Sequence, residues 1–203
     1  MKTKLLFVTL TALCTGALFA AESPQVGAPA PGFSPPSAQG KTESLVNYKG
    51  KYVVLEWFNP GCPFVQKHYK SENMQALQKE FTKKGVVWLT IDSSAPGEQG
   101  NLSATDAQKQ INDWKMYPTA LLLDPDGKVG HEYGATNTPH MFIIDPAGKL
   151  IYEGAIDSKA STDQADLKGA TNYVKAALTE ARAGKPVENA TTKAYGCSVK
   201  YAP

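Results

Sequence analysis

Three groups in this chain have the type and setting for chemistry: the thiols of Cys62 and Cys197 and the carboxyl of Glu56. Cys62 stands in N-P-G-C-P-F, directly after turn residues and directly before a proline. Proline is favoured at the first helical position, where its missing N–H costs nothing. Cys62 is therefore expected at a helix N-terminus, where unpaired N–H groups and the macrodipole favour negative charge. The thiolate is the nucleophile of sulfur chemistry, and this position lowers a thiol pKa. An inert packed thiol is the alternative, because free cysteine often behaves as a small hydrophobe. The turn–thiol–proline order favours the reactive reading.

Glu56 lies six residues before Cys62 in V-V-L-E-W-F. Leu55 and Trp57 bracket it, so its carboxyl should be substantially buried, and burial raises a carboxyl pKa. Such an acid can serve proton transfer, or it can be a paired structural acid. Cys197 sits in the tail, in T-K-A-Y-G-C-S-V-K-Y. Chain ends fray by default. Tyr195, Val199 and Tyr201 nevertheless make an odd composition for a discarded end, and cysteine arithmetic makes Cys197 the candidate resolving or structural partner of Cys62. Of the three histidines, His68 is offset by six helical residues and so turned off the thiol's face, while His140 follows Pro139 and could approach the site. Lys67 reads as a solvated helix residue. The His and Cys spacing is poorly specific for a metal, and neither metal nor cofactor is expected.

These groups need elements to position them. Residues 53–58 form a short β-branched and aromatic run that suits a buried strand, ended by Asn59-Pro60-Gly61. Residues 64–81 are helix-compatible, and Gly85 closes the segment. A second buried strand is expected over 85–92, which makes a right-handed β-α-β unit. Residues 93–102 are a polar loop at the sheet edge that carries Cys62. That loop either shapes access to the thiol or is a plain connection. Ser103 and Asp106 signal the start of a helix over 104–116, with Ile111 and Trp114 facing inward. A strand follows at 118–123, then a helical turn at 129–133. A hairpin of antiparallel strands comes next, turning at Pro146-Ala147-Gly148-Lys149. A final helix is expected over 166–183. The segment 22–50 is rich in Pro, Gly and Ser, and taken alone reads as a loop-rich arm.

The run from Val53 through Cys62 into the helix resembles the active-site segment of the thioredoxin-like superfamily. Within it the chain is most similar to the redoxin branch, which holds alkyl hydroperoxide reductase and thiol-specific antioxidant (peroxiredoxin-like) proteins and extracytoplasmic thioredoxin-like thiol reductases. Cys62 matches the first cysteine of the Cys-x-x-Cys pattern. Val65 stands at the second, so the local resolving thiol is missing. Val26 to Phe33 (V-G-A-P-A-P-G-F) resembles the opening of redoxin domains. The resemblance implies an α/β thioredoxin-like fold: a central mixed β-sheet flanked by helices, with an N-terminal hairpin turning at Gln39-Gly40-Lys41, a return strand over 43–46, and a C-terminal extension. It implies a cis peptide before Pro139, with Thr138 and Pro139 presenting backbone to a substrate chain beside Pro63. It also implies a proton-shuttle role for Glu56. The expected activity is thiol–disulfide exchange or peroxide reduction by Cys62, resolved by Cys197 or by an external thiol reductant. The partner would be a thiol or disulfide protein, or a peroxide. The alternative is a non-catalytic redoxin-fold protein that holds copper or a client thiol through Cys62.

Composition bounds the setting. The formal charge is +2 with interspersed signs and no basic stripe, which gives no nucleic-acid signal. Residues 1–20 read as a secretory signal peptide: Lys2 and Lys4, an apolar stretch, then Ala20 and Ala21. Residues 21–183 then form one redoxin domain and 184–203 a tail carrying Cys197. The expected location is periplasmic or secreted, with no stable membrane insertion after the signal is removed.

Overall fold

The structure, a computed structural model, describes residues 24–203. The proposed signal peptide, residues 1–20, lies outside the described residues. Among the described residues, no helix is long and apolar enough to cross a membrane.

Five strands form the main sheet: β1 Val53–Trp57, β2 Val87–Asp92, β3 Ala120–Leu123, β5 His140–Ile144 and β6 Leu150–Gly154, with β4 Asn137–Thr138 set apart. The sheet order is β3-β2-β1-β5-β6. β1 pairs in parallel with β2 and antiparallel with β5, so the strand that leads to Cys62 is the central one. Every residue of β1 and β2 is buried, the pattern of strands covered on both faces. One face packs Val54, Phe58, Cys62, Trp88 and Ile143 against the helices, and the other packs Leu55, Trp57, Leu89 and Phe142.

The helices are α1 Pro63–Lys70, α2 Asn73–Lys83, α3 Ala104–Asp113, α4 Lys128–Tyr133 and α5 Tyr173–Arg182. The expected helix over 64–81 is thus two helices. Ser71 ends α1, and Glu72 takes a left-handed conformation at φ 60°. No glycine or proline marks this break, so composition hid it. The expected helix over 166–183 is likewise broken. A 3₁₀ segment, Gln164–Gly169, comes first, and α5 restarts where the Asn172 side chain accepts from Lys175 N–H. In the N-terminal arm the turn at 39–41 is present, with Ser37 N–H bonded to Lys41 O at 2.7 Å. The return strand is not, because Leu45–Tyr48 is a 3₁₀ turn.

The tail is not frayed. Glu153 N–H bonds Ala190 O and Thr192 N–H bonds Glu153 O, both at 3.0 Å, which laces the tail to β6. Further on, Cys197–Ser198 forms β7, paired antiparallel with β4. Val199 N–H bonds Thr136 O at 3.0 Å, Ala95 N–H bonds Lys200 O at 2.7 Å, and the Tyr201 hydroxyl donates to Ala135 O at 2.8 Å.

Candidate active site

The turn after β1 is built by Asn59. Its Oδ1 accepts from Gly61 N–H at 2.8 Å and its backbone oxygen from Cys62 N–H at 3.1 Å. The first helical bond runs from Gln66 N–H to Cys62 O at 2.9 Å, with Pro63 exposed at the first helical position. Cys62 is the N-cap residue, but its side chain caps nothing. The sulfur points instead to the loop before Pro139, where Sγ lies 3.0 Å from Thr138 O. The Thr138–Pro139 peptide is cis, as the resemblance implied.

The β4–β7 pairing sets Cys197 opposite Thr138. The two sulfurs are within hydrogen-bonding reach of each other, and both thiols are free. Gly196 lets the tail pass this close. Its φ is 138°, and a Cβ there would stand 2.1 Å from Thr138 O. Cys62, Thr138 and Pro139 are consequently buried beneath β7, while Cys197 is half-buried. Burial pushes the Cys62 thiol up. Contacts from the Cys197 thiol and the Thr138 side chain, then from the Val65 and Cys197 backbones, bring it below its ordinary value. Cys197 goes the other way, to about 11, through burial and then the neighbouring Cys62. The two thiols titrate as a pair, with Cys62 the sulfur favoured as thiolate.

The loop over 93–102 closes the other side of the turn. Asn59 Nδ2 donates to Gln99 O at 2.7 Å, and a Cβ on Gly100 would collide with the Asn59 carboxamide at 2.3 Å. Asp92 holds both ends of this loop, accepting from Ser94 N–H and Leu102 N–H at 2.9 Å each. Burial raises its carboxyl to about 6.

Glu56 is fully buried and accepts four side-chain donors. These are the Tyr69 hydroxyl at 2.7 Å, Trp88 Nε1 at 2.8 Å, Gln78 Nε2 at 3.0 Å and Thr90 Oγ1 at 3.1 Å. Desolvation raises its pKa while the donors oppose the rise. It ties α1, α2 and β2 together on the helix-covered face that also holds Cys62.

The histidines and Lys67 fall differently from the sequence reading. His140 packs on Phe142 at 4.4 Å, on the face of the sheet opposite Cys62, and burial lowers it to about 4. His131 stacks on Tyr201. Lys67 is not solvated. It is 2% exposed, donates to Lys159 O at 2.8 Å and lies 3.7 Å from Asp157. His68 is buried beside it, with Nδ1 facing Asn73 Nδ2 at 2.9 Å and Nε2 facing the Tyr195 hydroxyl at 3.3 Å. Tyr195 in turn donates to Asp157 Oδ1 at 2.5 Å. Sequence reasoning missed this cluster because Asp157 carries no local signal. The aromatic residue two places before Cys197 was the one available hint. Among the described residues, no group of three or more His, Cys, Asp or Glu side chains gathers as metal ligands do.

A thioredoxin-like sheet with a cysteine at the N-cap position of the helix after its central strand defines a class, and the sequence comparisons agree with it. Residues 26–153 match the AhpC/TSA family model, and the chain belongs to that family. Thiol-disulfide oxidoreductase ResA of Bacillus thuringiensis subsp. konkukian (strain 97-27) is 29% identical over 132 residues, covering 65% of this chain and 70% of the relative. Among solved structures, an uncharacterized conserved protein from Geobacillus kaustophilus superposes with a TM-score of 0.77 at 26% identity, over 88% of this chain and 93% of that one. The thioredoxin domain of a thiol-disulfide oxidoreductase from Bacteroides vulgatus shares the fold, with a TM-score of 0.53 at 23% identity, over 72% of this chain and 98% of the other.

Proposed function

We propose that the chain is an exported thiol–disulfide oxidoreductase that splits its reactive cysteine pair between the first turn of α1 and the C-terminal tail. The observation that carries this reading is the pairing of β7 with β4, which holds the Cys197 thiol against the Cys62 thiol. Cys62, as thiolate, attacks one sulfur of a client disulfide. The client S–S bond breaks, and the second client sulfur leaves as a thiolate that takes a proton from solvent. Cys197 then loses its proton and attacks the Cys62 sulfur of the mixed disulfide, releasing the client's other thiol. Two electrons have passed to the client, and the protein is left with a Cys62–Cys197 disulfide, which an external dithiol reduces. Glu56 is the proton acceptor on the sulfur's side of the sheet, and its burial-raised carboxyl suits that part. Thr138 and Pro139 offer backbone to a client once the tail lifts from them, with Pro63 at the rim. The residue 1–20 leader delivers one domain, with its tail, to an oxidising compartment where this chemistry is useful.

Peptide-resolved alkylation tests the reading. Reduced protein treated with an excess of oxidised glutathione should lose alkylation at Cys62 and Cys197 together and gain an intramolecular bridge by mass. Retention of both free thiols, or a stable glutathione adduct on Cys62 with Cys197 still free, would overturn it.

A further inference from the structure

Tyr195 stands two residues before Cys197, and its contacts lead back to the helix that begins at Cys62. Its ring meets Phe64 edge-on at 5.8 Å, and the Lys67 ammonium lies 5.7 Å from the ring centroid. Its hydroxyl donates to Asp157 Oδ1 and so is free to accept from His68. His68 accepts from Asn73 at Nδ1, which leaves the proton on Nε2. The bonds thus run in one direction, from Asn73 to His68 to Tyr195 to Asp157. Asp157 is fixed at the far end: Oδ1 also accepts from Lys159 N–H at 2.9 Å, and Lys67 and His68 lie 3.7 and 3.9 Å from Oδ2. Asp157, Lys67 and His68 are all buried, so the hydroxyl meets a charged acceptor away from water. A hydrogen bond to a buried carboxylate is stronger than one between neutral groups.

Resting on the disulfide reading above, we propose that Tyr195 is a positioning residue: a latch that holds the C-terminal strand across Thr138 and so presents Cys197 to Cys62. The latch has two opposing effects. Closed, it covers Cys62 and slows capture by an outside disulfide. Once a mixed disulfide exists, it returns Cys197 to attack range and speeds resolution.

The test is the reaction of the reduced full chain, and of Tyr195→Phe, with oxidised glutathione, followed by quenching and mass analysis. Cys62 displaces one glutathione thiolate and becomes a mixed disulfide. Cys197 then displaces the second, so that the protein loses two electrons and two protons and two glutathione thiols form. Tyr195→Phe keeps the ring contacts and removes only the hydroxyl. It should capture glutathione about tenfold faster and resolve the adduct about tenfold more slowly, in line with losing one charge-assisted hydrogen bond. General destabilisation would not split the two steps this way. Equal rates in both proteins, or both steps moving in the same direction, would overturn the latch while leaving the disulfide reading intact. If the wild-type chain formed no Cys62–Cys197 bridge at all, that reading would fail, and the latch with it.

Discussion

Replacing Glu56 by leucine should cost the reduced protein at least about 3 kcal/mol of folding stability, because buried donors lose their acceptor. The four donors are not equivalent. Gln78 Nε2 also bonds the Tyr69 hydroxyl at 2.9 Å, so it keeps a partner when the carboxylate is gone. Trp88 Nε1 keeps none among the described residues, and the Thr90 and Tyr69 hydroxyls keep only each other, so one of their two protons is left over. Each unpaired buried donor costs roughly 1–3 kcal/mol, and no longer burying a charge offsets part of the sum. Glu56→Gln should be far milder, on the order of 1 kcal/mol. Its amide oxygen can serve the three donors at Oε2, and the Tyr69 hydroxyl can turn to accept from the new NH₂. Urea unfolding of the three reduced proteins reads this directly as a shift in midpoint at constant slope. A leucine variant within about 1 kcal/mol of wild type, or a glutamine variant as damaged as the leucine one, would refute the assignment of Glu56 as a four-donor anchor. The pH dependence adds a check. A carboxyl raised by folding contributes stability that is fully present below its ordinary value of 4.5 and is lost as pH rises through the folded value. The glutamine variant should lack that decline.

His140 titrates with the opposite sign. Its folded pKa of about 4 lies below the ordinary 6.5, so its contribution is present above 6.5 and lost as pH falls through about 4. His140→Phe should flatten the acid limb of a stability-against-pH curve, and an unchanged limb would contradict the burial argument. His68, also lowered to about 4 by burial, should keep part of that limb in the variant. Gly196→Ala places a methyl group 2.1 Å from Thr138 O, which β7 cannot accept without moving. Bridge formation with oxidised glutathione should slow at least about tenfold while the far-ultraviolet circular dichroism stays the same. Wild-type kinetics in that variant would show that β7 is not needed to bring the thiols together.

Much of the main sheet was legible because local chemistry and tertiary demand agree there. The run at 53–57 is apolar on both faces except for Glu56, and Asn59-Pro60-Gly61 leaves a strand nowhere to go. Cys62 and Pro63 then start a helix in either reading of the thiol. The cis bond at Pro139 came from family resemblance alone, since X-Pro sequence by itself favours trans. What stayed hidden depends on distant partners. Glu72 adopts φ 60° with no composition signal. Lys67 sits in a helix segment that reads as solvated, and its burial is made tolerable by distant partners: Asp157 and the Lys159 carbonyl, from beyond β6, and the Tyr195 ring in the tail. The tail's path is hidden for the same reason, because its strand pairs with two residues that are themselves too short to read as a strand.

Placing the second cysteine in the tail also changes what a bridge would do to the chain as a polymer. A bridge between neighbours three residues apart closes a loop too small to restrict the unfolded chain much. A bridge from Cys62 to Cys197 would encircle roughly 135 residues, and in the chain-entropy model such a ring removes about 5 kcal/mol of unfolded-state freedom. Oxidation would then tighten the whole domain, and each reduction would return it to a looser, more readily unfolded molecule. Electron transfer at this site would be thermodynamically linked to folding, so resistance to heat or protease would report the redox state of the two thiols.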